Sequence, residues 1–385
     1  MKRSGAAALF GLFMATWPAA AASIGRKEAI ANAAKGIEQE CQRDAGGDWQ
    51  RWYGQLAAFR EELTPLIAEQ WEKQRTTLKT GILKAKGDPP LFVECLSAGY
   101  LCLFGSPSSM NFEDWLKTRN APDIIATVKD WLKQRNIDLI FVPVPKMVEV
   151  YPDRVVGHVP PDRIVAPHIR KMVLDLLRAD VEVVDLLPAF LKAREQDREP
   201  LYLPSDTHWS DRAQQIAAEE IASRLKRYPF VKTALAKPPL YKVEPGSTPF
   251  QGCLWGELTD VDRRAIGGAV NMHVSRVRKV SDGTTVAPVD MSSIVVMGDS
   301  YTDYFQGIVP GSGISALIAK AANQPVSMVT AAGGTTEPVK DLVRNPELLG
   351  TAKVVIWIIQ NAGFSNQWPL LPTLPPKRTH IQRQP

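Results

Sequence analysis

Five short apolar runs, separated by amphipathic stretches, constrain this chain more than any other feature. They are Ile137–Val144 (leaving through Pro145 and Lys146), Val181–Leu186, Ile294–Met297, Val326–Thr330 and Val354–Ile359. Each has the length and the β-branched composition of a strand buried on both faces. Helical periodicity fills the gaps between them, over Pro122–Gln134, Ile169–Arg178, Pro188–Gln196, Asp211–Leu225, Gly313–Ala322 and Val339–Leu349. Strands and helices in alternation imply an α/β fold, a mostly parallel sheet covered by helices on both faces. The cysteine-bearing stretch Leu91–Phe104 adds one or two further strands.

The flanks read differently. From Arg26 to about Lys84, apolar residues such as Trp52, Leu56, Phe59, Leu63 and Leu66 recur three and four apart. This predicts an N-terminal helical region (23–90) packed on the core domain (91–366), with Pro65 marking a kink or a break. Residues 228–289 are rich in Pro and Gly and read as an irregular insertion of loops and short β elements. After Gln367, prolines and basic residues without periodicity predict a disordered tail, 367–385. The net charge of +5 is modest for 385 residues. No motif interleaves aromatic and basic side chains, so a nucleic-acid partner is not expected.

The chain begins with Lys2 and Arg3, an apolar run from Ala6 to Ala15, then Pro18 and Ala19–Ala22. That pattern predicts a signal peptide over residues 1–22 and a periplasmic product. The alternative, an uncleaved inner-membrane anchor, calls for about 20 apolar residues, more than this run offers. Export makes disulfides the expected use of four cysteines. Cys95–Cys102 is close enough to bridge locally, leaving Cys41–Cys253, although three pairings are open. There is no Cys-x-x-Cys and the five histidines are scattered, so neither a metal nor a cofactor is expected.

Chemistry concentrates in two places. The run Ile294–Met297 passes directly into Gly298-Asp299-Ser300-Tyr301, which presents a serine just past a strand end. Asp206-Thr207-His208 supplies an acid and an imidazole two residues apart, which an extended backbone would turn to one side. Together they would form Ser–His–Asp chemistry, with Ser300 as nucleophile, His208 as base and Asp206 as its orienting carboxylate. On spacing alone a turn and a surface loop explain these residues equally well. Asp299 is expected to shape the turn, and Tyr301 and Tyr304 to line the crevice as substrate contacts.

The two segments and their flanks resemble a known family. Tyr202-Leu203-x-Ser-Asp-Thr-His-Trp before a helix, and a later strand followed by Gly298-Asp299-Ser300, resemble the SGNH hydrolase-like domain of alginate O-acetyltransferases of the AlgJ/AlgX type. The likeness extends to Phe141–Lys146, Val184-Asp185-Leu186, Gly333-Gly334 and Val354–Trp357, and so spans roughly Leu91 to Trp357. The order is permuted, acid–histidine block before serine block, as in those acetyltransferases and unlike ordinary SGNH hydrolases. The resemblance implies a flavodoxin-like three-layer domain and a catalytic set of Ser300, His208 and Asp206. Oxyanion donors would be the Ser300 N–H and that of Gly333 or Gly334. It also implies a polysaccharide acceptor, a membrane-bound O-acyltransferase as acetyl donor, and other exopolysaccharide secretion proteins as partners. A carbohydrate acetylesterase and a non-catalytic scaffold are the alternatives. Where the family follows its last-strand Trp with a Glu and then an Arg, this chain has Gln360 and Asn361. Asn361 and Lys146 are therefore further candidates for substrate contact.

Overall fold

The computed structural model describes residues 24–74, 80–85, 91–96, 118–157, 159–160, 162–196, 199–258, 260–265, 270–364, 367–371 and 374. The expected signal peptide and the Cys95–Cys102 pairing lie outside what is described. Among the described residues no helix is long and apolar enough to cross a membrane.

The N-terminal region opens with helix Arg26–Ala45, which stops at Gly46 because that residue adopts φ 65°, the left-handed conformation glycine reaches without strain. A second helix, Trp49–Gln74, continues through Pro65, so the break falls at Gly46-Gly47 and not at the proline. Helical periodicity also overreached at its far end. Thr80–Ala85 (β1) is a strand, paired antiparallel with Leu91–Leu96 (β2).

The central sheet has five strands: β3 (Asp138–Val144), β4 (Glu182–Val183), β7 (Ile294–Gly298), β8 (Ser327–Thr330) and β9 (Val354–Gln360). Their order is β4-β3-β9-β7-β8 and every pairing is parallel. In β9 six successive residues from Val354 to Ile359 are buried. Because side chains alternate between faces, both sides of the sheet are covered, as the unbroken apolar runs require. From β3 the chain steps outward to β4, from β7 it steps the other way to β8, and β9 fills the gap between them. A parallel sheet that reverses in this way opens a crevice at the carboxyl ends of its central strands.

The insertion is more ordered than its composition implies. It contains helix Pro229–Leu235 and an antiparallel pair of ten-residue strands, β5 (Tyr241–Phe250) with β6 (Val270–Lys279). Phe250, Met272 and Val274 of that pair pack with Leu203, Phe305 and Val309 in a satellite core. The expected Val339–Leu349 helix is Glu337–Arg344 followed by a 3-10 turn, Pro346–Leu349, since Pro346 cannot continue the helix. Trp368, which composition placed in the tail, is ordered instead. Trp368 is buried against Trp357 and exchanges hydrogen bonds with Asn120, at 2.7 and 2.9 Å.

Three ion pairs among the described residues tie the first helix to the core, Arg26–Asp180, Arg178–Glu38 and Arg170–Glu40, and the last is the most buried. Arg170, on helix Pro167–Arg178, bonds both oxygens of Glu40 at 2.7 and 2.9 Å and both of Asp185 at 2.7 Å. Burial lifts the Glu40 carboxyl above its usual range, although the guanidinium acts against that shift.

Candidate active site

The serine stands where the strand leaves the sheet. Gly298 closes β7, and a Cβ there would lie 2.0 Å from the Ile358 carbonyl and 2.3 Å from Thr302 Oγ1, so no larger residue fits. Asp299 then caps a helix the sequence reading did not foresee, Ser300–Ile308, by accepting the Tyr301 N–H at 2.9 Å. Its second oxygen takes the Gln360 N–H at 2.9 Å, tying the serine turn to the end of β9. Burial raises the Asp299 carboxyl to about 6. Asp299 thus shapes the turn as expected, and Ser300 occupies the first helical position, whose N–H has no partner within the helix.

The Asp206-Thr207-His208 segment is not extended. An isolated bridge between Tyr202 and Trp209 closes it into a tight loop, and the Leu203 N–H donates to the His208 carbonyl at 3.1 Å. Acid and imidazole meet because Asp206 Oδ1 accepts both the His208 backbone N–H, at 2.9 Å, and Nδ1, at 2.6 Å. On the other edge of the ring, His208 Nε2 lies 2.9 Å from Ser300 Oγ. Residues 94 positions apart at the extremes thereby form one hydrogen-bonded chain, carboxylate to imidazole to hydroxyl. With Nδ1–H held by Asp206, Nε2 presents its lone pair to the serine proton, so the arrangement can generate an alkoxide-like nucleophile.

Three groups fix this chain in a role their sequence context did not signal: Tyr304, expected as a substrate contact, Cys253, expected in a disulfide, and Gly252. The Tyr304 ring stacks on His208 at 3.9 Å and 7°, and its hydroxyl donates to Asp206 Oδ2 at 2.5 Å. The Cys253 N–H donates to the same oxygen at 2.7 Å. Gly252 lets that loop approach, since a Cβ on it would sit 2.1 Å from the Ser205 carbonyl. Burial alone would raise the Asp206 carboxyl. The bonds from His208, Tyr304 and Cys253 outweigh it and hold the group below its usual range. It therefore stays ionised opposite the ring, the state that stabilises an imidazolium.

Tyr301 is buried under the site. Its hydroxyl donates to the Thr207 carbonyl and accepts from Gln360 Nε2 at 2.7 Å, so it braces the histidine loop from inside. Lys146 and Asn361 meet around Glu149, whose Oε1 takes the Lys146 N–H at 2.8 Å and both of whose oxygens lie 3.0 Å from Asn361 Nδ2. Burial lifts the Glu149 carboxyl to about 7. The sequence signal for it was a lone charge inside Met147-Val148-Glu149-Val150.

Two expectations need correction. The Gly334 N–H is spent on the Ala331 carbonyl at 2.8 Å, which removes it as an oxyanion donor. Gly333 sits in the turn after β8 at φ 66°. Cys41 and Cys253 are free thiols. Cys41 is buried in the first helix, whereas Cys253 lies in the loop against Asp206, with Sγ 3.7 Å from Thr207 Oγ1. Burial pushes the Cys253 thiol up to about 11.

Residues 108–361 match the family model of the SGNH hydrolase-like domain, acetyltransferase AlgX. Among solved structures, the O-acetyltransferase domain of Pseudomonas putida AlgJ aligns with a TM-score of 0.57 and 19% identity, over 76% of this chain and 94% of that one. Pseudomonas aeruginosa AlgX aligns with a TM-score of 0.47 and 15% identity, over 75% of this chain and 64% of that one. Bacillus cereus PatB1 aligns with a TM-score of 0.41 and 12% identity, over 74% and 98%. A search of curated protein sequences gave no match. The matched span contains both chemistry-bearing segments, and the chain belongs to the AlgX acetyltransferase family of SGNH hydrolase-like domains.

Proposed function

We propose that this protein is an exported O-acetyltransferase that esterifies hydroxyl groups of a polysaccharide through an acetyl-Ser300 intermediate. The observation that carries the reading is the unbroken chain from Asp206 through His208 to Ser300. Membership of an acetyltransferase family supports acetyl as the transferred group. Export rests on the pattern of the first 22 residues.

In the first half-reaction Ser300 Oγ attacks the acetyl carbonyl while its proton passes to His208 Nε2. Asp206 stabilises the imidazolium. The Ser300 N–H, at the start of its helix, faces the developing oxyanion, with the positive end of the helix dipole behind it. The donor's leaving oxygen takes the proton from Nε2. In the second half a sugar hydroxyl gives its proton to Nε2 and attacks the acyl carbon. Collapse returns that proton to Ser300 Oγ and leaves the sugar acetylated. Acetyl-CoA is not expected outside the cytoplasm, so the donor side calls for a membrane-bound O-acyltransferase. The acceptor side calls for a polymer handled by exopolysaccharide secretion proteins.

An acetylesterase would share every step except the last, with water in place of the sugar. Purified protein supplied with a chromogenic acetyl ester, with and without oligosaccharide, separates the two. The transferase reading expects acetylated oligosaccharide and faster ester turnover when sugar is present. Turnover indifferent to sugar, with free acetate as the only product, overturns it.

A further inference from the structure

The geometry points to a soft-metal site formed by Asp206, His208 and Cys253, at which Zn2+ would bind and shut the catalytic histidine off from Ser300. Ligand atoms of the three residues all lie within 4.8 Å of one another. They are a carboxylate, an imidazole and a thiol, the donor set that zinc takes in a tetrahedral centre, with the fourth position left for water. Bonds of about 2.0–2.3 Å place such ligands up to about 4 Å apart. Closing the cluster therefore takes a movement under about 1 Å, within the range of one Cys253 side-chain rotation. Cys253 is the exposed residue of the three and Asp206 and His208 the buried ones, so an ion reaches the pair from the Cys253 side. The Cys253 N–H already anchors this residue on Asp206, which makes the sulfur part of a fixed arrangement.

The ring nitrogen that turns toward this cluster is Nδ1, since Asp206 Oδ1 faces it at 2.6 Å and the other Asp206 oxygen faces Cys253. Binding replaces the S–H bond of Cys253 with S–Zn and releases that proton to solvent. The Nδ1 lone pair goes to the metal, and the ring proton moves to Nε2. A protonated Nε2 donates to Ser300 Oγ and cannot accept from it. The binding part of this inference stands on the three side chains alone; the inhibitory part rests on the base role proposed for His208.

Cobalt is the probe, because a thiolate bound to Co2+ produces a charge-transfer absorption that carboxylate and imidazole do not. The whole chain, kept reduced by a phosphine that does not bind metal, is titrated with Co2+ and, for ester turnover, with Zn2+. The expected result is a thiolate-to-cobalt band that saturates at one equivalent, together with zinc inhibition of ester turnover. Cys253→Ser is expected to lose the band and to need roughly tenfold more zinc or more for the same inhibition. Ser300→Ala is expected to keep the band, since its hydroxyl is not a ligand. The inference is overturned by no band in the parent, by an equal band in Cys253→Ser, or by equal zinc sensitivity of the two. An active Ser300→Ala that keeps the band would end the catalytic proposal while leaving the metal site standing.

Discussion

At the scale of single residues, the site depends on how Asp206 is held. Its two oxygens receive four donors: the His208 N–H and Nδ1, the Cys253 N–H and the Tyr304 hydroxyl. Tyr304→Phe removes one of these and keeps the ring stacked on His208. A hydrogen bond to a charged group contributes on the order of 1.5–3 kcal/mol. The variant is therefore expected to lower kcat by about tenfold or more with KM nearly unchanged, read from steady-state kinetics on an acetyl ester. Glu149 gives a second, pH-dependent test. Its carboxyl sits at about 7 because it is buried, against an ordinary 4.5. The folded protein thus holds this proton more tightly than the unfolded chain, and stability falls as pH rises from about 4.5 to about 7. The loss is on the order of 3 kcal/mol. Glu149→Gln is expected to flatten that slope. The Asn361 Oδ1 atom, which has no partner among the described residues, can accept the new amide once the Asn361 side chain turns over. Urea midpoints at pH 5 and pH 8, for parent and variant, check it.

At the scale of elements, the backbone of the site is a loop closed by a bridge, a strand ending in glycine, and a helix capped by an aspartate. The parallel sheet was legible because a strand buried on both faces leaves an unbroken apolar run, as Val354–Ile359 does. Asp206, His208 and Ser300 were legible as residue types. What joins Asp206 to His208 was not: an extended backbone was expected, and the loop instead turns tightly around the Asp206 carboxylate. The helix Ser300–Ile308 was missed because its cap, Asp299, had been read only as a turn residue. Gly252-Cys253 was missed for a different reason. Pro- and Gly-rich composition signals irregular backbone, yet it carries no information about which loop a glycine must approach. The consequence is testable. A methyl group at position 252 would lie 2.1 Å from the Ser205 carbonyl and 2.6 Å from Asp206 Cβ. Gly252→Ala is expected to displace Asp206 and reduce kcat by about a hundredfold, the effect of a misplacement near 1 Å. Activity within threefold or so of the parent would show that the insertion does not position the acid.

At the scale of the whole molecule, the carboxyl ends of β3, β9 and β7 lie side by side at one edge of the sheet, with Phe250, Met272 and Val274 of the β5–β6 pair packed with Phe305 of the serine helix. The N-terminal helices are joined to this body in part through Arg170, buried between Glu40 and Asp185. Arg170→Ala leaves two largely buried carboxylates without their cation. It is expected to cost about 3–5 kcal/mol of stability, read as a lower thermal or denaturant midpoint, while the distances within the Ser300 site stay as they are. The central claim is that the Asp206–His208–Ser300 chain passes an acetyl group through the serine oxygen. Intact-protein and peptide mass spectrometry after brief exposure to an activated acetyl ester tests it most directly. The expected result is one acetyl group, on Ser300, that is discharged when oligosaccharide is added, and no labelling of Ser300→Ala or His208→Ala. Acetylation at another residue, or equal labelling of Ser300→Ala, would contradict it.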